Sequence, residues 1–242
     1  MSSDNEFLCF INGEPADSIL VSDRGLSYGH GLFETIKISN KIAPLLRYHL
    51  ERLTEGARAI GIACNEALLK KYFYQLLEMI PEDGVVKIIV TAGSGKRGYF
   101  YNKPNSTCYI LQWYPIDTNF SLPRAQGVSL KCCQHRLPIS PLLSGIKHLN
   151  RLDQVVARAE WEDEFYDGLM LNQDDYVVEC VSSNIFIFKS GTWITPEITE
   201  CGVAGVMRRY LMDDLFPSTG YIVKEVKLTV NDLLSACLLY TS

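Results

Sequence analysis

The spacing of apolar residues changes along this chain, and that change constrains the fold most. Leu46, Leu50, Leu53, Ala57 and Ile60 recur at steps of four, three, four and three, and Leu69, Tyr72, Leu76, Met79 and Ile80 follow a similar spacing. Such spacing lays one apolar stripe along a helix. Val85 to Thr91 and Thr107 to Tyr114 then form apolar runs of strand length. A shorter segment, Phe7 to Ile11, precedes the helices and closes on the turn signal Asn12-Gly13. The second half begins with a strand-like run, Val128 to Cys133, and a Pro-containing loop. A helix resting on Leu149, Leu152, Val155, Val156 and Ala159 follows. Short strands are expected at Gly168 to Leu171, Tyr176 to Val178, Asn184 to Phe188 and Trp193 to Thr195. Past Gly205 a helix uses Val206, Tyr210, Leu211 and Leu215, and the chain closes with strand (Tyr221 to Val226), short helix and strand (Leu238 to Thr241). This order predicts an α+β protein of two subdomains with mixed sheets. Pro115 to Pro123 is polar, carries two prolines and has no period, so it reads as the interdomain linker. The expected division is a smaller N-terminal subdomain over 1–114, the linker over 115–123 and a larger subdomain over 124–242.

Composition narrows the function. At 242 residues and 47% hydrophobic, the chain can bury a sizeable core. Its formal net charge of −5 argues against nucleic acid or an anionic membrane as partner. No apolar run approaches the roughly 20 residues of a membrane span. Met1 to Asn5 has neither the basic nor the apolar region of a signal peptide, so the expected location is the cytoplasm. The eight cysteines are scattered, with no C-x-x-C and no zinc-ligand spacing to a histidine. They read as reduced core thiols, and no metal is expected.

Three features invite chemistry. Gly93-Ser94-Gly95-Lys96 follows a strand like a phosphate loop, but Val90 stands where that motif needs glycine and Arg97 where it needs Ser or Thr. A mobile loop that carries Arg97 to a ligand is the better reading. Lys147, between Ile146 and His148 at a loop–helix junction, is either a partly desolvated nucleophile or an ordinary solvated lysine. Spacing alone favours the ordinary one. Glu179 ends the run Tyr176-Val177-Val178 and precedes Cys180-Val181-Ser182-Ser183-Asn184. It either meets a buried cation beside a turn that offers hydroxyls or N–H groups to a phosphate, or simply precedes a Ser-rich turn.

Several segments, in order, carry a family resemblance. They are Asp23-Arg24-Gly25-Leu26-Ser27-Tyr28-Gly29-His30-Gly31-Leu32-Phe33-Glu34-Thr35, His49-Leu50-Glu51-Arg52-Leu53, Gly145-Ile146-Lys147-His148-Leu149-Asn150-Arg151-Leu152, Val178-Glu179-Cys180-Val181-Ser182-Ser183-Asn184 and Gly205-Val206-Met207-Arg208. Together they resemble fold-type IV pyridoxal phosphate enzymes. That class includes branched-chain and D-amino acid aminotransferases and 4-amino-4-deoxychorismate lyase. Lys147 to Leu152, the Gly93 to Tyr99 loop and Met207 in place of a threonine are similar to the lyase branch.

The resemblance implies a cofactor cleft between the subdomains and a homodimer acting on a small molecule. Lys147 would carry pyridoxal 5′-phosphate on its amine and then serve as general base. Glu179 would face the pyridine nitrogen. Arg52, the N–H groups of Val206 and Met207, and Ser242 would hold the phosphate. Arg97 and Tyr99 would meet substrate carboxylates, and Thr35 would handle the proton of the leaving group. His30 and His148 would orient backbone or fill space. The implied reaction converts 4-amino-4-deoxychorismate to 4-aminobenzoate and pyruvate in folate biosynthesis. The alternatives are an aminotransferase of the class or a non-catalytic relative. The family pattern continues past Ser242 with more sheet and a final helix, so a shortened C-terminus is expected.

Overall fold

A computed structural model describes residues 8–101, 107–116 and 126–241. The chain divides into two compact units, one of residues 1–118 with 147–149, the other of 119–146 with 150–242. The expected linker overlaps the end of a strand at Pro115, and most of it lies outside the described residues.

The first unit is built on an antiparallel sheet of five strands in the order β2-β1-β5-β4-β3. β1 (Leu8–Ile11) and β2 (Glu14–Pro15) form a hairpin. Its two turn residues, Asn12 and Gly13, both have positive φ, as a tight two-residue turn requires. α1 (Arg24–Tyr28) is capped by the Asp23 carboxylate, which accepts from Gly25 N. β3 (Gly31–Ile38) follows directly. It alternates strictly, burying Leu32, Glu34, Ile36 and Ile38 and turning Thr35 and Lys37 outward. The apolar runs of the sequence name no strand over these residues, and the buried set proves to include a carboxylate.

α2 (Leu46–Ala59) and α3 (Glu66–Met79) form where the two helical stripes stand, except that Met79 of the second stripe is 53% exposed and Phe73, outside it, is buried. They bury Leu50, Leu53, Ala57, Leu69, Phe73 and Leu76. β4 (Gly84–Thr91) and β5 (Cys108–Pro115) complete the sheet within a residue or so of the predicted runs.

The second unit carries two sheets. One has the order β6-β7-β8, formed by Leu130–Leu137, Asp167–Asn172 and Val177–Cys180. The other has the order β11-β10-β9-β12, formed by Val223–Val226, Thr192–Pro196, Ile185–Lys189 and Leu238–Thr241. β6–β7 and β10–β11 are parallel and the remaining pairs antiparallel, so the mixed character resides in this unit. Leu169, Leu171, Val177, Ile185, Ile187 and Leu228 form its main core. α5 starts as Val206–Tyr210, widens through a π-helical turn over Leu211–Leu215 and ends at Phe216–Ser218. α6 (Val230–Leu234) starts with a reciprocal capping box between Thr229 and Asp232.

Two expectations are corrected. α4 spans only Leu152–Arg158, and its apolar stripe faces outward, with Leu152, Val155 and Val156 exposed at 77, 60 and 51%. The residue it buries is Ala157, packed with Cys133, Leu137, Trp161 and Met170. A short helix lying close to a sheet admits a methyl group on its inner side more easily than large side chains. Cys132 and Cys237 are exposed rather than core thiols, while Cys133, Cys180 and Cys201 are buried. Burial pushes the Cys133 and Cys201 thiols up to about 11. Among the described residues no helix is long and apolar enough to cross a membrane.

Candidate functional site

Residues 147–149 lie against the free edge of β3. Phe33 N donates to Lys147 O at 3.0 Å, Leu149 N donates to Gly31 O at 3.0 Å, and Leu32 faces His148 as an antiparallel bridge. This pairing places the Lys147 side chain on the same face as Phe33 and Thr35. Its Nζ sits 4.4 Å from the Phe33 ring centroid, partly buried. The ring face attracts a cation and shields one side of the amine from water. Thr35 is exposed on the same face, two residues on. Lys87 stands opposite Thr35 in the β3–β4 register, with its Nζ 5.7 Å from the same Phe33 centroid. Two ammonium groups and a hydroxyl thus share one sheet face around one ring. Sequence reasoning missed Lys87, because only the register shows which residue it meets.

Arg52, on α2, reaches Glu34 on the opposite face of β3. Its Nε donates to Glu34 Oε1 at 2.7 Å and its Nη2 to Glu34 Oε2, and His49 Nδ1 meets Oε2 at 2.7 Å. Glu34 is 1% exposed. Burial by itself would raise its carboxyl pKa, but the bonds from His49 and Arg52 outweigh burial and leave it below the usual carboxylate value. Arg52 is therefore an ordered, largely buried ion-pair residue.

The loop carrying Arg97 and Tyr99 is pinned at several points. Buried Arg24 donates through Nη1 to Gly98 O at 3.0 Å and through Nη2 to Tyr99 O at 3.1 Å. Gly98 N donates to the Tyr28 hydroxyl at 2.9 Å, and the Tyr28 and Tyr99 rings pack at 5.5 Å. Arg97 and Tyr99 themselves are exposed. This bonding replaces the mobile loop expected from sequence. Arg24 Nε also donates to His30 Nδ1, and His30 Nε2 meets Ile60 O at 3.0 Å, so that histidine ties the loop region to the end of α2.

In the second unit, β8 places Glu179 in the interior at 4% exposure. Its Oε2 accepts from Val203 N at 2.9 Å and from Asn184 Nδ2 at 3.4 Å. Asn184 Nδ2 also donates to Val203 O at 3.0 Å. Two glycines complete this cradle. Gly202 has φ +89°, and a Cβ there would stand 2.6 Å from Val178 Cγ1 and 3.5 Å from the Glu179 carboxyl carbon. A Cβ on Gly205 would overlap Asn184 Oδ1. Gly205→Ala is therefore expected to destabilise the fold by about 1–3 kcal/mol, read as a lower urea midpoint. An unchanged midpoint would show that Asn184 is not held as described.

Gly205 is also the N-cap of α5 and offers no side-chain acceptor, so the first-turn N–H groups of Val206 and Met207 have no partner within the helix. Ser182 and Ser183 do not present their hydroxyls to a ligand. Both donate to buried Asp167 Oδ2, at 2.7 and 3.0 Å. Ser242 lies outside the described residues. Among the described residues no group of three His, Cys, Asp or Glu side chains could hold a metal ion.

Comparison with known proteins adds to this geometry. The family model for amino-transferase class IV matches residues 31–241. The chain is 32% identical over 228 residues to aminodeoxychorismate lyase of Vibrio harveyi, covering 94% of this chain and 84% of that one. It is 29% identical over 222 residues to D-alanine aminotransferase of Bacillus licheniformis, covering 89 and 76%. Among solved structures, 4-amino-4-deoxychorismate lyase from Pseudomonas aeruginosa superposes with a TM-score of 0.93 at 40% identity, covering 97% of this chain and 86% of that one.

Proposed function

The chain belongs to the amino-transferase class IV family, and on that premise we propose that it is a pyridoxal phosphate-dependent carbon–oxygen lyase. Its reaction converts 4-amino-4-deoxychorismate to 4-aminobenzoate and pyruvate, a step of folate biosynthesis. The observation that carries this reading is the placement of Lys147 Nζ on the Phe33 ring, on the same sheet face as the Thr35 hydroxyl. The similarity to two lyases favours it over transamination.

The residues present fit pyridoxal 5′-phosphate. A partly buried amine, an interior carboxylate with two donors of its own, and uncapped first-turn N–H groups match the aldehyde, the ring nitrogen and the phosphate in turn. When bound, the cofactor supplies an aldehyde for the substrate amine and a protonated ring that accepts electrons. Glu179 holds the proton on the ring nitrogen. Arg52 and the N–H groups of Val206 and Met207 hold the phosphate, with Ser242 as a further contact. Lys147 Nζ removes the proton from C4 of the substrate. Thr35 Oγ1 handles the proton of the departing enolpyruvyl oxygen. The substrate carries two carboxylates. Arg97 and Tyr99 meet one, and Lys87, opposite Thr35, supplies positive charge for the other. Aromatisation of the ring drives the reaction, so no amino acceptor takes part.

The test is a coupled assay on the purified protein. Equal amounts of 4-aminobenzoate and pyruvate, formed without added keto acid, are expected. Turnover that depends on a keto-acid acceptor would identify an aminotransferase. A colourless protein whose spectrum does not respond to borohydride would identify a non-catalytic relative.

The same reading places the protein in the cytoplasm as a homodimer. The outward stripe Leu152, Val155 and Val156 on α4 supports an interface, since neighbouring exposed aliphatic side chains gain by being covered. Val155→Asp is expected to shift the protein from dimer to monomer in light scattering. A dimer that persists would move the interface elsewhere.

A further inference from the structure

We propose that Glu34 is a positioning residue that aims the Arg52 guanidinium at the cofactor phosphate, an inference that rests on the reading of Arg52 as a phosphate ligand. β3 alternates, and Glu34 occupies an inward position in phase with Leu32, Ile36 and Ile38. A carboxylate at such a position is costly unless it is paired. Here it is paired twice, by residues one turn apart on α2. Arg52 turns its Nε–Nη2 edge to the two carboxylate oxygens, and His49 Nδ1 donates to Oε2.

The side-on pairing fixes both the position and the plane of the guanidinium. The edge bearing Nη1 then faces away from Glu34. An arginine so held needs little ordering when an anion arrives, which preserves affinity that a free side chain would lose. Glu34 also cancels the charge of Arg52 while no anion is bound, so the cation is not left unpaired in a largely buried setting. His49 adds a second donor and keeps the carboxylate ionised and oriented. Supporting groups of this kind carry effects of about 10- to 100-fold on ligand affinity in metal sites.

The full-length protein, stripped of cofactor, is titrated with pyridoxal phosphate and separately with pyridoxal, which lacks the phosphate. The variants are Glu34→Gln, Arg52→Met and the double substitution. Glu34→Gln is expected to weaken pyridoxal phosphate binding about 10-fold while pyridoxal binding stays unchanged. In the Arg52→Met background the same substitution is expected to add almost nothing, because its effect passes through that side chain. Equal weakening of both ligands by Glu34→Gln would show a general packing role and overturn the proposal. So would additive losses in the double variant. If Arg52→Met weakens pyridoxal phosphate and Glu34→Gln does not, the positioning role alone falls. If Arg52→Met leaves pyridoxal phosphate binding unchanged, the phosphate reading of Arg52 falls and the positioning role with it. Should Glu34→Gln fail to fold, Glu34→Asp carries the comparison, since it keeps the charge but draws the paired oxygens back by one methylene.

Discussion

Lys147→Ala is expected to lower the rate of 4-aminobenzoate formation by about 10³-fold or more, the range for loss of a general base, with little change in stability. The reason for the second part is structural. The bonds that hold residues 147–149 to β3 run through backbone atoms, so removing the side chain leaves them intact. What the fold loses is the contact with the Phe33 ring, worth about 0.5–1 kcal/mol at a partly exposed position. Lys147→Arg keeps the positive charge and much of that contact. It is expected to be equally inactive, since a guanidinium stays protonated and cannot accept the C4 proton. The measurement is product formation beside a thermal melt of each variant. More than a tenth of the normal rate in either variant would rule out Lys147 as the base. Inactivity with a large loss of stability would mean the residue holds the fold.

Glu179→Gln is expected to lower kcat about 10²-fold or more, in line with loss of one preorganised electrostatic partner. The substitution is nearly isosteric, and the amide oxygen can still accept from Val203 N. The charge alone is removed, and with it the means of keeping the ring nitrogen protonated. Cofactor affinity is therefore expected to change much less than kcat, and that split is the informative result. Glu179→Ala would confuse the two, because it leaves Val203 N without its acceptor inside the unit, at a cost of about 1–3 kcal/mol. Steady-state kinetics together with a cofactor titration decides the matter. An unchanged kcat in Glu179→Gln would remove Glu179 from the reaction.

The residues behind both predictions were found in the sequence by resemblance rather than by pattern. Lys147 by spacing alone read as an ordinary lysine, and Glu179 as a carboxylate before a Ser-rich turn. Both readings were sound for local sequence, because desolvation is a property of neighbours far along the chain. Phe33, which shields Lys147, and Val203, which donates to Glu179, are both distant in sequence, whereas Asn184 stands only five residues beyond Glu179. The Ser182 and Ser183 hydroxyls read from sequence either as donors to a phosphate or as part of an ordinary Ser-rich turn. Asp167, on the neighbouring strand β7, decided for the protein.

The amino-acid sequence by itself determined the elements whose apolar spacing agrees with their burial. α2 follows its stripe, α3 follows its own apart from exposed Met79 and buried Phe73, and β4 and β5 follow their apolar runs, since one buried face per element is legible one residue at a time. The tertiary structure alone decided which way α4 turns, why Glu34 is tolerated inside β3, and that Lys87 meets Thr35. Each depends on a partner brought near by register or packing. Such pairings are set by the chain as a whole, and a local period carries no record of them.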